Sequence, residues 1–294
     1  MLDRSSNAGY STPMNKLDLK SRARILGLLV EGNSLRATSR LADCSINTVT
    51  KLLVDVGTAC AWHQDKTLRN LPCKRIQCDE IWSFVYAKAA NAPPEMKSQG
   101  IGGDVWTWTA IDAESKLAVS WFVGQRDVVC ATEFMKDVAS RLANRVQLTT
   151  DGHRPYLNAV EFAFDDTGVD YAVLKKLYGS DKGSSPERRY SPAKCLGAVS
   201  GTVLGKPDPK HISTSFVERQ NLTMRMGMRR FTRLTNAFSK KIENHAHAIA
   251  LHFMWYNFGR IHKTLRVTPA MEAGVSDHVW SLEEIAGLAD EMSN

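Results

Sequence analysis

Residues 75–87, R-I-Q-C-D-E-I-W-S-F-V-Y-A, constrain the fold more than any other stretch of this 294-residue chain. Its β-branched and aromatic side chains suit a pleated, half-buried surface, so it reads as a strand. A carboxylate, Asp79, stands inside it. A charge within so apolar a strand calls for an ionic partner or a metal. Strand alternation places Asp79 on the face opposite Cys78 and Glu80, so Glu80 is expected to project to the other side.

Further strands follow at residues 105–111 and 117–123, with the turn D-A-E-S-K between them. Helical spacing covers 132–144. A short strand over 146–150 runs into Asp151-Gly152, a helical stretch spans 154–164, and a fifth strand is expected at 171–174. Three antiparallel strands followed by alternating helices and strands describe an α/β fold with a ribonuclease H-like mixed sheet flanked by helices. Residues 178–212 carry four prolines and five glycines and read as an inserted loop with room for a small hairpin. From Ser213 the pattern is helical again. Ser239 is expected to cap the next helix, and S-L-E-E at 281–284 to open a last one. The implied organisation is a polar, disordered leader (1–15), an all-α domain (16–70), the sheet domain (71–270) and a tail helix (271–294).

The all-α segment has a helix-turn-helix pattern. Gly32-Asn33 stops a first helix, Ser34 can cap a second, and Ser45 a third. Leu41 and Val49 fit its buried positions, and Asp43 takes the place where a left-handed residue is needed. Asn47, Thr48, Thr50 and Lys51 would then face outward with groups suited to base edges and phosphates.

Charge points the same way. Residues 219–266 hold ten Lys/Arg and one acid, +9 within a chain of net charge +7, so the remainder nets −2. Arg225, Arg229, Arg230, Arg233, Lys240 and Lys241 lie in this block. So concentrated a basic stretch suggests a polyanion such as double-stranded DNA, because Lys and Arg displace counterions from phosphate. No apolar run approaches the roughly 20 residues that cross a bilayer. The polar N-terminus does not read as a secretory signal, so a cytoplasmic location is expected. Six cysteines are scattered without a C-x-x-C pair, which argues for free packing thiols and against zinc.

Three carboxylates are the candidate catalytic and metal-binding residues: Asp79, Asp151 and Glu218. Asp151 ends a strand, where side chains project into the crevice of an open α/β sheet. Glu218 starts the basic region, with Arg225 and Arg229 following at helical spacing. Each has a plainer alternative: a salt-bridged Asp79, a turn at Asp151, and a capping box Ser215-x-x-Glu218. Converging carboxylates would raise one another's pKa. Two Mg²⁺ ions, with Mn²⁺ as a substitute, would relieve this and support in-line attack on phosphate.

The ordered set C-D-E-I-W (78–82), T-D-G-H (150–153), V-E-R-Q-N-L-T-M-R (217–225), R-L-T-N-A-F-S-K-K-I-E-N-H (233–245) and Y-N-F-G-R-I-H-K-T-L (256–265) resembles the insertion-sequence-one family of bacterial transposases. The resemblance implies an Asp-Asp-Glu transposase that cleaves element ends and transfers 3′-hydroxyl strands into target DNA as a multimer. Asp79, Asp151 and Glu218 would be its acids. The chain departs from the best-known members by lacking a cysteine-rich N-terminus and by its longer spacing between Asp151 and Glu218. Two other readings stay open: a helix-turn-helix regulator, and a metal-dependent nuclease that cuts without joining.

Overall fold

The computed structural model describes residues 16–179, 195–232 and 236–292. The leader expected over 1–15, residues 180–194 of the expected insertion, and Arg233 lie outside the described residues.

Three helices precede the sheet: α1 (Leu19–Val30), α2 (Leu35–Leu41) and α3 (Ile46–Thr67). Ser34 and Ser45 cap α2 and α3, accepting from Ala37 N and Thr48 N. Asp43, between them, has φ 49°, the left-handed conformation that a short polar side chain tolerates. Val49 is buried as expected, but Leu41 is 52% exposed. Leu52 and Leu53 take up the apolar burial instead. They lie on the side of α3 that meets the rest of the molecule.

The sheet has six strands in the order β3-β2-β1-β4-β5-β6. β1 (Arg75–Val85), β2 (Gly103–Asp112) and β3 (Ala118–Gly124) form an antiparallel meander. β4 (Val146–Thr150) and β5 (Val169–Tyr178) pair parallel to it, each reached through a helix: α5 (Val128–Arg141) and α6 (Pro155–Ala163). The short helix α4 (Pro94–Ser98) lies in the β1–β2 connection. The mixed, helix-flanked sheet is compatible with a ribonuclease H-like fold. β5 is longer than expected, and the insertion contributes a sixth strand, β6 (Cys195–Leu204), antiparallel to β5 at the edge.

Both faces of the central strands are covered, which is why β1 reads as apolar on both. Trp108 meets Phe134 of α5 and Tyr156 of α6 on one face. On the other, Trp121 stacks on Phe253 of α8 (Ile242–Met254), 6.0 Å between ring centres. Beyond α8 a π-helical turn (Trp255–Gly259) buries Asn257. Its amide pairs with both backbone groups of Ala118, at 2.9 and 3.0 Å, and so fastens β3 to this helix.

The N-terminal helices share this core. α3 lies along α8 so closely that a Cβ on Gly57 would come within 2.6–2.8 Å of His247. α9 (Pro269–Glu272) and α10 (Leu282–Glu291) close the chain. α10 opens with the expected capping box of Ser281 and Glu284 and packs on α1 and α3. There Asp290 accepts two 2.7 Å hydrogen bonds from the buried Arg22. No described helix is long and apolar enough to cross a membrane.

Ser239 does not cap α8; the N-cap is Lys241 and has no side-chain bond. Ser239 instead bridges Val85 at the end of β1, and its hydroxyl accepts from Arg230 Nε (2.8 Å) and meets His245 Nδ1 (3.2 Å). His245 reaches Ser83 through its other nitrogen, 3.1 Å away. Burial lowers His245 to about 3 and His252 to about 4. In an unfolded chain both would titrate near ~6.5, so below that pH the unfolded state binds protons that the fold refuses. Stability is therefore present in full above the unfolded value and falls as pH drops towards 4. Where both histidines contribute, the slope is about twice that of a single proton, on the order of 3 kcal/mol per pH unit. Urea midpoints between pH 7 and 4.5 should show this, and His245→Asn should flatten the curve.

Candidate metal centre

β1 outruns its neighbour. It pairs with β4 only through Arg75–Gln77, while its own residues continue to Val85. Among the described residues no strand flanks positions 78–84 on that edge until Ser239 bridges Val85. The gap opens into a cleft of about 740 Å³, lined by Asp79, Glu80, Asp151, Lys176, Glu218 and Arg225 among others. It lies beyond the carboxyl end of β4, where open α/β sheets expose side chains to ligands.

Each acid is set by its element. Asp79 accepts from the Glu80 backbone N–H (2.9 Å) and from Asn221 Nδ2 (2.8 Å), one bond per oxygen, which fixes the carboxylate and leaves each oxygen further lone pairs. Asp151 follows β4 and accepts from His153 N–H (2.9 Å). The intervening Gly152 has φ 87°, and a Cβ there would meet Val173 at 2.7 Å. Glu218 sits in the first turn of α7 (Ser215–Gly227), with its carboxylate accepting from Thr214 Oγ1 (2.7 Å) and ion-paired to Lys176.

The capping-box alternative for Glu218 does not hold. The N-cap is Thr214, without a side-chain cap bond, and Ser215 Oγ meets Ser213. The helix start is satisfied from β1: the Gln77 side-chain oxygen accepts from Phe216 N (2.8 Å) and Val217 N (3.3 Å). Gln77 is buried. It thus pins the helix carrying Glu218 to the strand carrying Asp79. Gln77→Ala leaves one buried donor, Val217 N, and one part-buried donor, Phe216 N, without this partner, and should lower stability by about 1–3 kcal/mol. Thermal unfolding checks this.

Glu80 corrects the sequence expectation. One oxygen each of Asp79, Glu80 and Asp151 lie within 4.8 Å of one another, a group able to hold a metal ion. Alternation does put Glu80 on the far face, but the edge of β1 is open here. Its longer side chain turns into the crevice that Asp79 reaches from the other side. The side chain is 1% exposed, and both carboxyl oxygens are buried without a hydrogen-bond partner.

Burial, and then the charge of Asp151, push Asp79 up to about 7 and Glu80 up to about 8. The nearby cations soften this only partly. Arg126 Nη2 lies 3.6 Å from Glu80 and 3.7 Å from Asp151. His153 Nε2 lies 3.9 Å from Glu80, with its pKa lowered by burial and then by Arg126. An all-oxygen donor set, crowded carboxylates and orphaned buried oxygens fit a hard divalent cation.

The basic candidates are spread more widely. Arg225 borders the cleft. Arg229, Lys240 and Lys241 are exposed, and Arg230 is half-buried with its Nε given to Ser239. Asn47 and Lys51 are exposed on α3, and Thr48 and Thr50 half-exposed; Lys51 pairs with Asp55 (2.6 Å). Sequence reasoning missed Lys176, Arg126 and Gln77. Lys176 lies beyond the expected end of the fifth strand, and nothing local marks the other two. No protein-family model matches this chain, and no curated protein matches it.

Proposed function

We propose that this protein is a metal-dependent DNA transposase, cutting and joining phosphodiester strands at the cleft between β1, β4 and α7. The observation that carries the reading is the convergence of Asp79, Asp151 and Glu218 on one cleft, from three elements far apart in the chain. The concentrated basic charge after Glu218 adds to it.

Asp79 and Asp151 would be the primary ligands, Glu80 a further ligand beside them, and Glu218 the acid facing them across the cleft. Mg²⁺ or Mn²⁺ bound there would activate a water or a 3′-hydroxyl and stabilise the leaving 3′-oxygen. Asn221 orients Asp79, and Gln77 sets the position of the helix bearing Glu218. Arg225, on the same cleft wall, would bind backbone phosphate. The exposed edge of α3, with Asn47 and Lys51, would act as the helix-turn-helix contact to duplex DNA. The protein would hold the two ends together as a multimer on the DNA.

The test is a cleavage-and-joining assay with Mg²⁺ or Mn²⁺ on labelled DNA from the gene's own flanks, wild type beside Glu218→Gln. Cutting and joining in the wild type, lost in the variant with DNA binding retained, is the expected result. Binding without cutting would return the protein to the regulator reading, and cutting whose 3′ ends never join would make it a nuclease.

A further inference from the structure

The face of β1 that carries Glu80 continues beyond the acids as a row of rings. By alternation Trp82 and Phe84 follow Glu80 on that face, and Trp106 of β2 is the cross-strand partner of Trp82. Trp82 and Phe84 lie 5.8 Å apart between ring centres, and Phe84 and Phe238 5.1 Å. All four rings are half-buried, whereas Trp108, one step back along the same face, is fully buried against α5 and α6. The helices cover the face as far as Trp108 and leave the rings beyond it accessible.

Cations border this row at several points. The Arg126 guanidinium carbon sits 4.8 Å from the Trp106 ring centre, and Lys88 Nζ 6.0 Å from that of Trp82. Lys240 and Lys241, both exposed, follow Phe238 in the chain. Arg126 also reaches Glu80 and Asp151, so the row is continuous with the acidic cleft.

Two of the four rings have a cation over them, and two exposed lysines follow a third ring in the chain. Rings with accessible edges or faces offer stacking to any base, and flanking Lys and Arg follow the phosphates; together they form the surface that binds single strands without sequence preference. A paired duplex hides its base faces and cannot use such a row. We infer that Trp82, Phe84, Trp106 and Phe238 form a stacking platform for an unpaired DNA strand, with Lys88, Arg126, Lys240 and Lys241 holding its phosphates. The platform's role beside the acids rests on the reading that they act on DNA.

The test is a titration of the full chain, in EDTA, with fluorescein-labelled dT20 and with a blunt 20-base-pair duplex. Tryptophan fluorescence is followed alongside anisotropy. Expected is quenching by dT20, and at least about 10-fold weaker dT20 binding by Phe238→Ser and by Trp82→Leu, since each stacked base contributes that order of affinity. Duplex binding should change less than about twofold. Phe238 lies outside the helices and strands, so Phe238→Ser keeps the test informative if Trp82→Leu fails to fold. Native circular dichroism with unchanged dT20 affinity in Phe238→Ser overturns the platform. So does an equal loss of duplex and dT20 binding. Because EDTA removes metal chemistry, a failure here leaves the metal-centre reading intact. Conversely, dT20 binding that responds to these variants supports the platform even if the wild type cuts nothing.

Discussion

Asp151→Asn is expected to weaken Mn²⁺ binding by more than about 100-fold, beyond what loss of a residue that only supports a metal ligand costs. Metal-dependent cleavage should fall at least as far. The substitution keeps the shape of the side chain and the hydrogen bond from His153 N–H, so the turn after β4 should survive. What it removes is the charge that lies beside both Asp79 and Glu80. Titrating Mn²⁺ against the protein and reading free ion by electron paramagnetic resonance gives the affinity without any turnover. Asp112→Asn is the control. Asp112 is buried at the other end of β2, bonded to the Ser115 hydroxyl (2.6 Å) and backbone (2.8 Å). Its loss should cost stability and leave Mn²⁺ affinity unchanged. Equal Mn²⁺ affinity in wild type and Asp151→Asn would remove Asp151 from the ligand set.

Gly57→Ala should cost about 3 kcal/mol, the upper part of the range for an overfilled core. The new methyl would meet the Cα, Cβ and carbonyl oxygen of His247 at 2.6–2.8 Å. Two of these are backbone atoms of a buried helix, so rotamer changes cannot relieve the contact, and α3 must move off α8. Chemical denaturation would register the loss as a lower midpoint. An unchanged midpoint would show that the two helices slide without cost.

The segments that read clearly in the sequence are those whose period is set by burial. Residues 75–87 are apolar on both faces because helices cover both, and the structure duly places β1 at the sheet's centre. Asp151 was legible because a strand ending in Asp-Gly is a local signal. The sequence could not show Glu80 entering the cleft, since that depends on β4 stopping at Thr150 while β1 continues. Strand length relative to a neighbour is not a local property. For the same reason Gln77 gave no hint of capping a helix some 140 residues away. The edge strand β6 was hidden by composition. Its residues are exposed and rich in Gly, Ala, Ser and Thr, so they carry no burial period for a pattern to reveal. Leu41 shows the opposite error, an apolar side chain at an expected core position that the structure leaves outside.

The clasp between Arg22 and Asp290 bears on how the protein is made. Residues 268 positions apart in the chain close one part-buried contact. α1 leaves the ribosome well before the helix it packs on, α10, has been made. Until then Ala23, Ile25 and Leu26 lack α10, and the Arg22 guanidinium lacks its carboxylate. α1 therefore settles only once α10 has been made, and a nascent chain halted before residue 282 would hold α1 loosely. Such a chain would be the form most open to proteases and chaperones.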